Sequence, residues 1–144
     1  MLPNISEVSK TSLAVNVKIT ADFPEDQKAL NVVIKIPLPP TAAACRITTD
    51  KGRAKYEPGQ RALVWRLGGV QGGGEHSIDA VVDLLPSTRE KAWTRPPLSA
   101  DFQIPMYCAS GVKVRFFKLF EKSSYPYNKW VKYMTKAGDY QMKI

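Results

Sequence analysis

Leu13, Val15, Val17 and Ile19 alternate with Ala14, Asn16, Lys18 and Thr20, and this period of two constrains the chain more than any other feature. Alternation puts the apolar set on one face of an extended strand and the polar set on the other, so it fits a half-buried strand and not a helix. The pattern returns in Leu30, Val32, Ile34 and Ile36, in Ile78, Ala80, Val82 and Leu84, and in Leu98, Ala100, Phe102 and Ile104. It returns again in Val112, Val114 and Phe116, running on to about Phe120. Turn formers separate these runs. Asp22 to Asp26 surrounds Pro24, and Pro37, Pro39 and Pro40 stop the second run because proline cannot donate to a ladder. Cys45 to Thr49 is short and β-like. Lys51 to Tyr56 and Arg61 to Leu67 flank Glu57-Pro58-Gly59-Gln60, which reads as a four-residue hairpin loop. Gly68 to Gly74 reads as a flexible connection, and Pro86 to Pro97 as a long loop holding Trp93. After a loop from Glu121 to Asn128, Lys129 to Thr135 and Asp139 to Ile144 read as a closing hairpin around Ala137-Gly138. About ten short strands without an amphipathic helix predict an all-β chain, an antiparallel β-sandwich.

Composition narrows the function. The 144 residues are 44% apolar and 24% charged, enough for a core and incompatible with a disordered chain. With 21 Lys and Arg against 13 Asp and Glu, the net charge of +8 points to an anionic partner: a membrane surface, nucleic acid or an acidic protein. Cys45 and Cys108 fit no metal or redox spacing and read as reduced thiols. No apolar run approaches the roughly 18 residues of a membrane span. Met1-Leu2-Pro3-Asn4 does not open a signal peptide. His76 is the one histidine and the one plausible base for a nucleophile triad, and it reads as a surface loop residue. Gly72-Gly73-Gly74 is not followed by Gly-Lys-Ser/Thr, so it is no phosphate-binding P-loop. The carboxylates are scattered singly. These features predict a binding module rather than an enzyme, with no metal and no cofactor.

Two constellations carry candidate chemistry. In Lys51-Gly52-Arg53-Ala54-Lys55-Tyr56, three cations at i, i+2 and i+4 share one face of a strand, about 6.6 Å apart. With Glu57 to Gln60 as the loop, Tyr56 pairs with Arg61 and Lys51 lies opposite Arg66, which then joins the same face. Four cations on one face of a two-stranded ribbon repel one another, and an anionic head group relieves that repulsion. The competing reading is a solvated edge made unattractive to other strands. The second constellation is Tyr125-Pro126-Tyr127-Asn128-Lys129-Trp130-Val131-Lys132-Tyr133. Trp130 beside Lys132 on one strand face makes a shelf for an aromatic ring or an extended peptide. Alternatively, Trp130 is core and Lys132 snorkels over it. Residues 113–144 hold eight Lys or Arg against Glu121 and Asp139, a second basic surface.

On these residues the chain resembles the C-terminal part of the mu homology domain, found in the mu (medium) subunits of clathrin adaptor complexes. Ile5-Ser6-Glu7-Val8 with Leu13-Ala14-Val15-Asn16-Val17-Lys18 is similar to the opening of its second subdomain. Lys51-Gly52-Arg53-Ala54-Lys55-Tyr56 with Leu63-Val64-Trp65-Arg66 matches a family hairpin. Trp93-Thr94-Arg95-Pro96-Pro97-Leu98-Ser99 and Ser110-Gly111-Val112-Lys113-Val114-Arg115 also match. Lys129-Trp130-Val131-Lys132-Tyr133 with Gly138-Asp139-Tyr140 resembles the family's closing strands. The lysine-rich hairpin looks most like the plasma-membrane adaptor, while Ile104-Pro105-Met106-Tyr107 and Gly73-Gly74-Glu75-His76 are similar to the fourth adaptor complex.

The resemblance implies a module of vesicle-mediated transport and endocytosis that reads Tyr-x-x-Φ cargo tails and phosphoinositide membranes beside other adaptor-complex subunits. Such a module is cytoplasmic and peripheral on coated pits, vesicles or trans-Golgi and endosomal membranes. The lipid-contacting cations carry over onto Lys51, Arg53, Lys55 and Arg66. The cargo site carries over in part, onto Lys129, Trp130, Val131 and Lys132. The family usually has arginine at the place of Lys132, whose planar fork stacks on a phenol ring as lysine does not. The rest of the cargo pocket comes from strands of the first subdomain that this chain does not supply. The resemblance also implies that 1–107 is a complete β-sandwich subdomain and that 108–144 are C-terminal strands of the partly missing first subdomain. Unpaired strands of that kind predict self-association of the chain, or non-native packing on the sandwich. Two further readings are a mu-like scaffold of the stonin, muniscin or coatomer delta type, and a basic nucleic-acid-binding β-sandwich. The second is disfavoured because Trp65, Phe102 and Phe116 fall on apolar faces and read as core; the expected partners therefore include no nucleic acid.

Overall fold

The computed structural model describes residues 1–86, 93–123 and 125–144, and all of its described strands pair antiparallel. The elements are β1 (Leu2–Ser9), β2 (Ser12–Thr20), β3 (Lys28–Pro37), β4 (Ala42–Thr49), β5 (Arg53–Glu57), a 3-10 turn (Pro58–Gln60), β6 (Ala62–Gln71), β7 (Glu75–Leu84), β8 (Leu98–Pro105) and β9 (Met134–Met142). One sheet runs β1-β2-β7-β4 and the other β5-β6-β3-β8-β9, and their apolar faces share one core. The antiparallel sandwich expected from the alternation is what forms. Of the Pro86–Pro97 loop, residues 87–92 lie outside the described residues; Trp93 packs partly buried against the core.

The core follows the alternation closely. Leu13, Val15, Val17 and Ile19 of β2 and Ile78, Ala80 and Val82 of β7 are all buried, as are Leu98, Ala100 and Ile104 of β8. Their outward neighbours make cross-strand polar pairs, among them Asn16 with Asp79 at 2.6 Å, Lys18 with Glu75 at 2.7 Å and Arg46 with Asp83 at 3.2 Å. In β3 the pattern breaks once. Asn31 adopts φ 53 and the register slips between Ala29 and Val33, so Ala29 turns inward and Leu30 is only half-buried. A bulge of this kind inserts a residue and moves every side chain beyond it to the other face.

Three expectations are corrected. The glycine-rich segment is largely ordered strand, with β6 running to Gln71, and its end is a tight turn that carries the chain from one sheet to the other. There Gly74 N–H donates to Gln71 O at 3.0 Å, and a Cβ on Gly72 would lie 2.0 Å from the Pro24 carbonyl oxygen. Glycine is needed because the turn packs directly on the β2–β3 connection. Next, Ala137-Gly138 is no hairpin. It lies inside β9, where the register with β8 slips between Ala100 and Phe102, so the glycine marks a bulge. Finally, the described residues of 111–133 form no strand. Val112, Val114, Phe116 and Phe120 are exposed, Phe116 at 77%, against the expectation that Phe116 is core. Alternation predicts which face would be buried, but burial needs a second layer, and the described residues supply none here.

Candidate anion-binding face

β5 and β6 pair with Arg53 opposite Arg66, Ala54 opposite Trp65, Lys55 opposite Val64 and Glu57 opposite Ala62. The loop is still four residues, but it is Pro58 to Arg61, because Arg61 closes the 3-10 turn at φ 50 and donates its N–H to Pro58 O at 3.0 Å. Pairing is therefore two residues out from the expected register. A slip of two preserves the faces, so Arg53, Lys55 and Arg66 project together from the outer side of their sheet. All three are exposed, and Lys51, half-buried, lies two residues before the strand. Arg53, not Lys51, lies opposite Arg66.

The inner side of the hairpin fixes this face in place. Trp65 is fully buried, and its indole Nε1–H donates to the Lys51 carbonyl oxygen at 2.8 Å. The Thr49 hydroxyl donates to the same oxygen at 2.8 Å, so both lone pairs of Lys51 O are used. Gly52, at φ +81, lies so close to β6 that a Cβ would fall 2.3 Å from Arg66 O. Tyr56 Oη donates to Ala42 O at 3.2 Å and ties β5 to β4 across the sandwich corner. Asp50 anchors the preceding turn. Desolvation pushes its carboxyl up, but the Ser77 N–H at 3.1 Å and His76 at 3.3 Å outweigh that and hold it below the usual carboxylate range.

Two residues that the sequence reading passed over shape the electrostatics. Lys35 of β3 lies beyond Val64, extending the row Lys55–Val64–Lys35. Val64 lies between them on the outward parity yet is 1% exposed. Lys35 pairs with Asp101 at 3.4 Å. Glu57, assigned above to the loop, is in β5 and pairs with Arg66 at 2.8 Å. Among the described residues, Lys51, Arg53 and Lys55 form no ion pair. The face thus offers unpaired cations held by a rigid backbone, the arrangement suited to a multiply charged anion.

The second constellation is not assembled on a strand. Lys129, Trp130, Val131 and Lys132 lie between β8 and β9 without ladder pairing, and Trp130 is 79% exposed, which rules out its core reading. Lys129 Nζ donates to Phe117 O at 2.8 Å and sits 5.0 Å from the Tyr127 ring centre. Elsewhere, an apolar cleft of about 310 Å³ opens between the sheets, walled by Met1, Phe23, Phe102, Tyr107 and Tyr140; single-sequence alternation carries no signal for it. Cys45 and Cys108 are both free thiols.

Comparison with known proteins accounts for the whole chain. A sequence model of the adaptor complexes medium subunit family matches residues 1–144. The chain is 42% identical to the AP-2 complex subunit mu of Dictyostelium discoideum, over 100% of this chain and 33% of that protein. It is 34% identical to the AP-2 complex subunit mu of Caenorhabditis elegans, over 99% of this chain and 34% of the relative. It is also 34% identical to the AP-1 complex subunit mu-2 of Bos taurus, over 96% and 33% respectively. The chain thus spans about a third of the length of these relatives. A chain matched end to end by the family model, with an all-β sandwich and a lysine-rich hairpin, belongs to the adaptor complexes medium subunit family.

Proposed function

We propose that the chain is a membrane-facing module of a clathrin-adaptor medium subunit, acting in vesicle-mediated transport and endocytosis. Its β5–β6 face binds phosphoinositide head groups through Lys51, Arg53, Lys55 and Arg66. The observation that carries this reading is the clustering of Arg53, Lys55 and Arg66 on one outer face, with Lys51 two residues before the strand and its carbonyl held by both Trp65 and Thr49. Each cation near an anionic bilayer contributes about 1 kcal/mol, so four together support peripheral attachment. In this reading the module works in the cytoplasm, on coated pits, vesicles or trans-Golgi and endosomal membranes, alongside other adaptor-complex subunits. It is a binding module with no catalytic step.

Binding of Tyr-x-x-Φ tails belongs to the same proposal but to a larger protein. Residues 108–144 are read as strands whose remaining partners lie in the part of the relatives that this chain does not span. The exposure of Val112, Val114, Phe116 and Trp130 supports that reading, and β9 is the one ladder-forming strand among the described residues of the segment. Left uncovered, this surface favours self-association of the 144-residue chain.

The test is sedimentation of the chain with phosphatidylcholine vesicles, with and without phosphatidylinositol bisphosphate, over a salt series. Binding only to the bisphosphate vesicles, weakening with salt, is expected. Equal or stronger retention on duplex DNA with none on the vesicles would replace the membrane reading with a nucleic-acid one.

A further inference from the structure

The Arg66–Glu57 pair is the one acidic contact made by the four candidate cations among the described residues, and its geometry is unusual. Arg66 stands opposite Arg53, whereas Glu57 is four residues further along β5, about 13 Å of strand rise away. For Nη2 to reach Oε1 at 2.8 Å, the Arg66 side chain lies lengthwise along the ribbon, past the Lys55–Val64 row and away from its cross-strand neighbour. The second oxygen of Glu57 accepts from Gln60 Nε2 within the hairpin turn. The carboxylate is thus gripped from both sides and is 25% exposed, against 53% for Arg66. The acid is the fixed partner and the guanidinium the arm that can be redirected.

We propose that Glu57 is an internal competitor, holding the Arg66 guanidinium at the hairpin-turn end of the face until a phosphate-bearing head group draws it back toward Lys55 and Arg53. The inference rests on the anion-binding reading of that face. Two arginines directly opposite on one face repel, and docking on Glu57 removes that repulsion from the empty site. A guanidinium fork binds phosphate with the same two-point geometry as carboxylate, so phosphate replaces Glu57 without a change in donor chemistry. The ligand class that wins this exchange is a phosphate monoester dianion, which carries more charge than the carboxylate it displaces. A singly charged phosphodiester does not.

The test is a double-mutant cycle on vesicles containing phosphatidylinositol bisphosphate, using wild type, Glu57→Gln, Arg66→Gln and the double variant, with melting temperatures measured alongside. Glu57→Gln is expected to bind about five-fold tighter, the worth of one released cation at an anionic surface. That gain is expected to vanish in the Arg66→Gln background. Glu7→Gln, the same charge change on β1, is expected to alter binding less than two-fold. Wild-type binding with no gain in Glu57→Gln, or an equal gain in the Arg66→Gln background, overturns the competitor role alone. Absent wild-type binding, or binding that survives Lys51→Glu with Lys55→Glu, overturns the anion-binding reading and this inference with it.

Discussion

Trp65→Phe isolates the bond between the core and the basic face. Phenyl keeps most of the buried ring but removes the Nε1–H that donates to Lys51 O at 2.8 Å. The lost hydrogen bond costs about 1 kcal/mol, because Lys51 O still accepts from Thr49 and is not left bare. Shrinking indole to phenyl gives up roughly 40 Å² of buried apolar surface, about another 1 kcal/mol. The sum, about 2 kcal/mol, lowers the melting temperature by about 4–8 °C in a domain of this size. Differential scanning calorimetry measures the shift, and amide hydrogen exchange locates it. Protection is expected to fall at Lys51, Gly52 and Arg53 while β2 and β7 keep theirs. A melting temperature within 1 °C of wild type, with exchange at 51–53 unchanged, would refute the claim that Trp65 anchors the face.

Other substitutions probe neighbouring points. Gly52→Ala places a Cβ 2.3 Å from Arg66 O at φ +81, so it is expected to destabilise by about 1–3 kcal/mol in urea unfolding and to weaken vesicle binding. The Asp50 carboxyl, and that of Glu75 through its Lys18 hydrogen bond and charge, both titrate lower in the folded chain than in the unfolded one. The unfolded chain therefore binds more protons in acid, and stability is expected to fall as pH drops from about 4.5. Asp50→Asn with Glu75→Gln should flatten that fall in a pH series of urea melts. A Tyr-x-x-Φ peptide titrated onto the 144-residue chain by calorimetry is expected to show no saturable binding, because Trp130 and Lys132 lie on no strand edge. Micromolar, tyrosine-dependent binding would show that the pocket is complete within this chain.

Alternation was sufficient to read the sandwich because both inner faces are lined by near-perfect period-two runs. Leu13, Val15 and Val17 pair with Val82, Ala80 and Ile78 within one sheet, and every one is buried. It failed where a single residue changed the count. Asn31 in the left-handed region turned Leu30 away from the core, and the bulge at Gly138 turned an expected hairpin into one strand. The basic face was legible for a related reason. The hairpin register slips by two because Arg61 joins the loop, and a slip of two leaves parity intact. The same slip moves Glu57 from the loop into β5, which is why the acid that holds Arg66 was not foreseen. Val112, Val114 and Phe116 have the same local pattern as true strands; what they lack among the described residues is a partner, and periodicity cannot report on partners.

The most direct measurement of the central claim is the affinity of Lys51→Glu with Lys55→Glu for vesicles containing phosphatidylinositol bisphosphate, beside wild type. Each reversal removes one attraction and adds one repulsion of about 1 kcal/mol, so the pair should weaken binding by about 4 kcal/mol, close to a thousand-fold. Both side chains lie outside the core cluster, so the melting temperature should move by no more than about 2 °C. A double variant that folds normally and still binds within ten-fold of wild type would contradict the assignment of this face to the membrane.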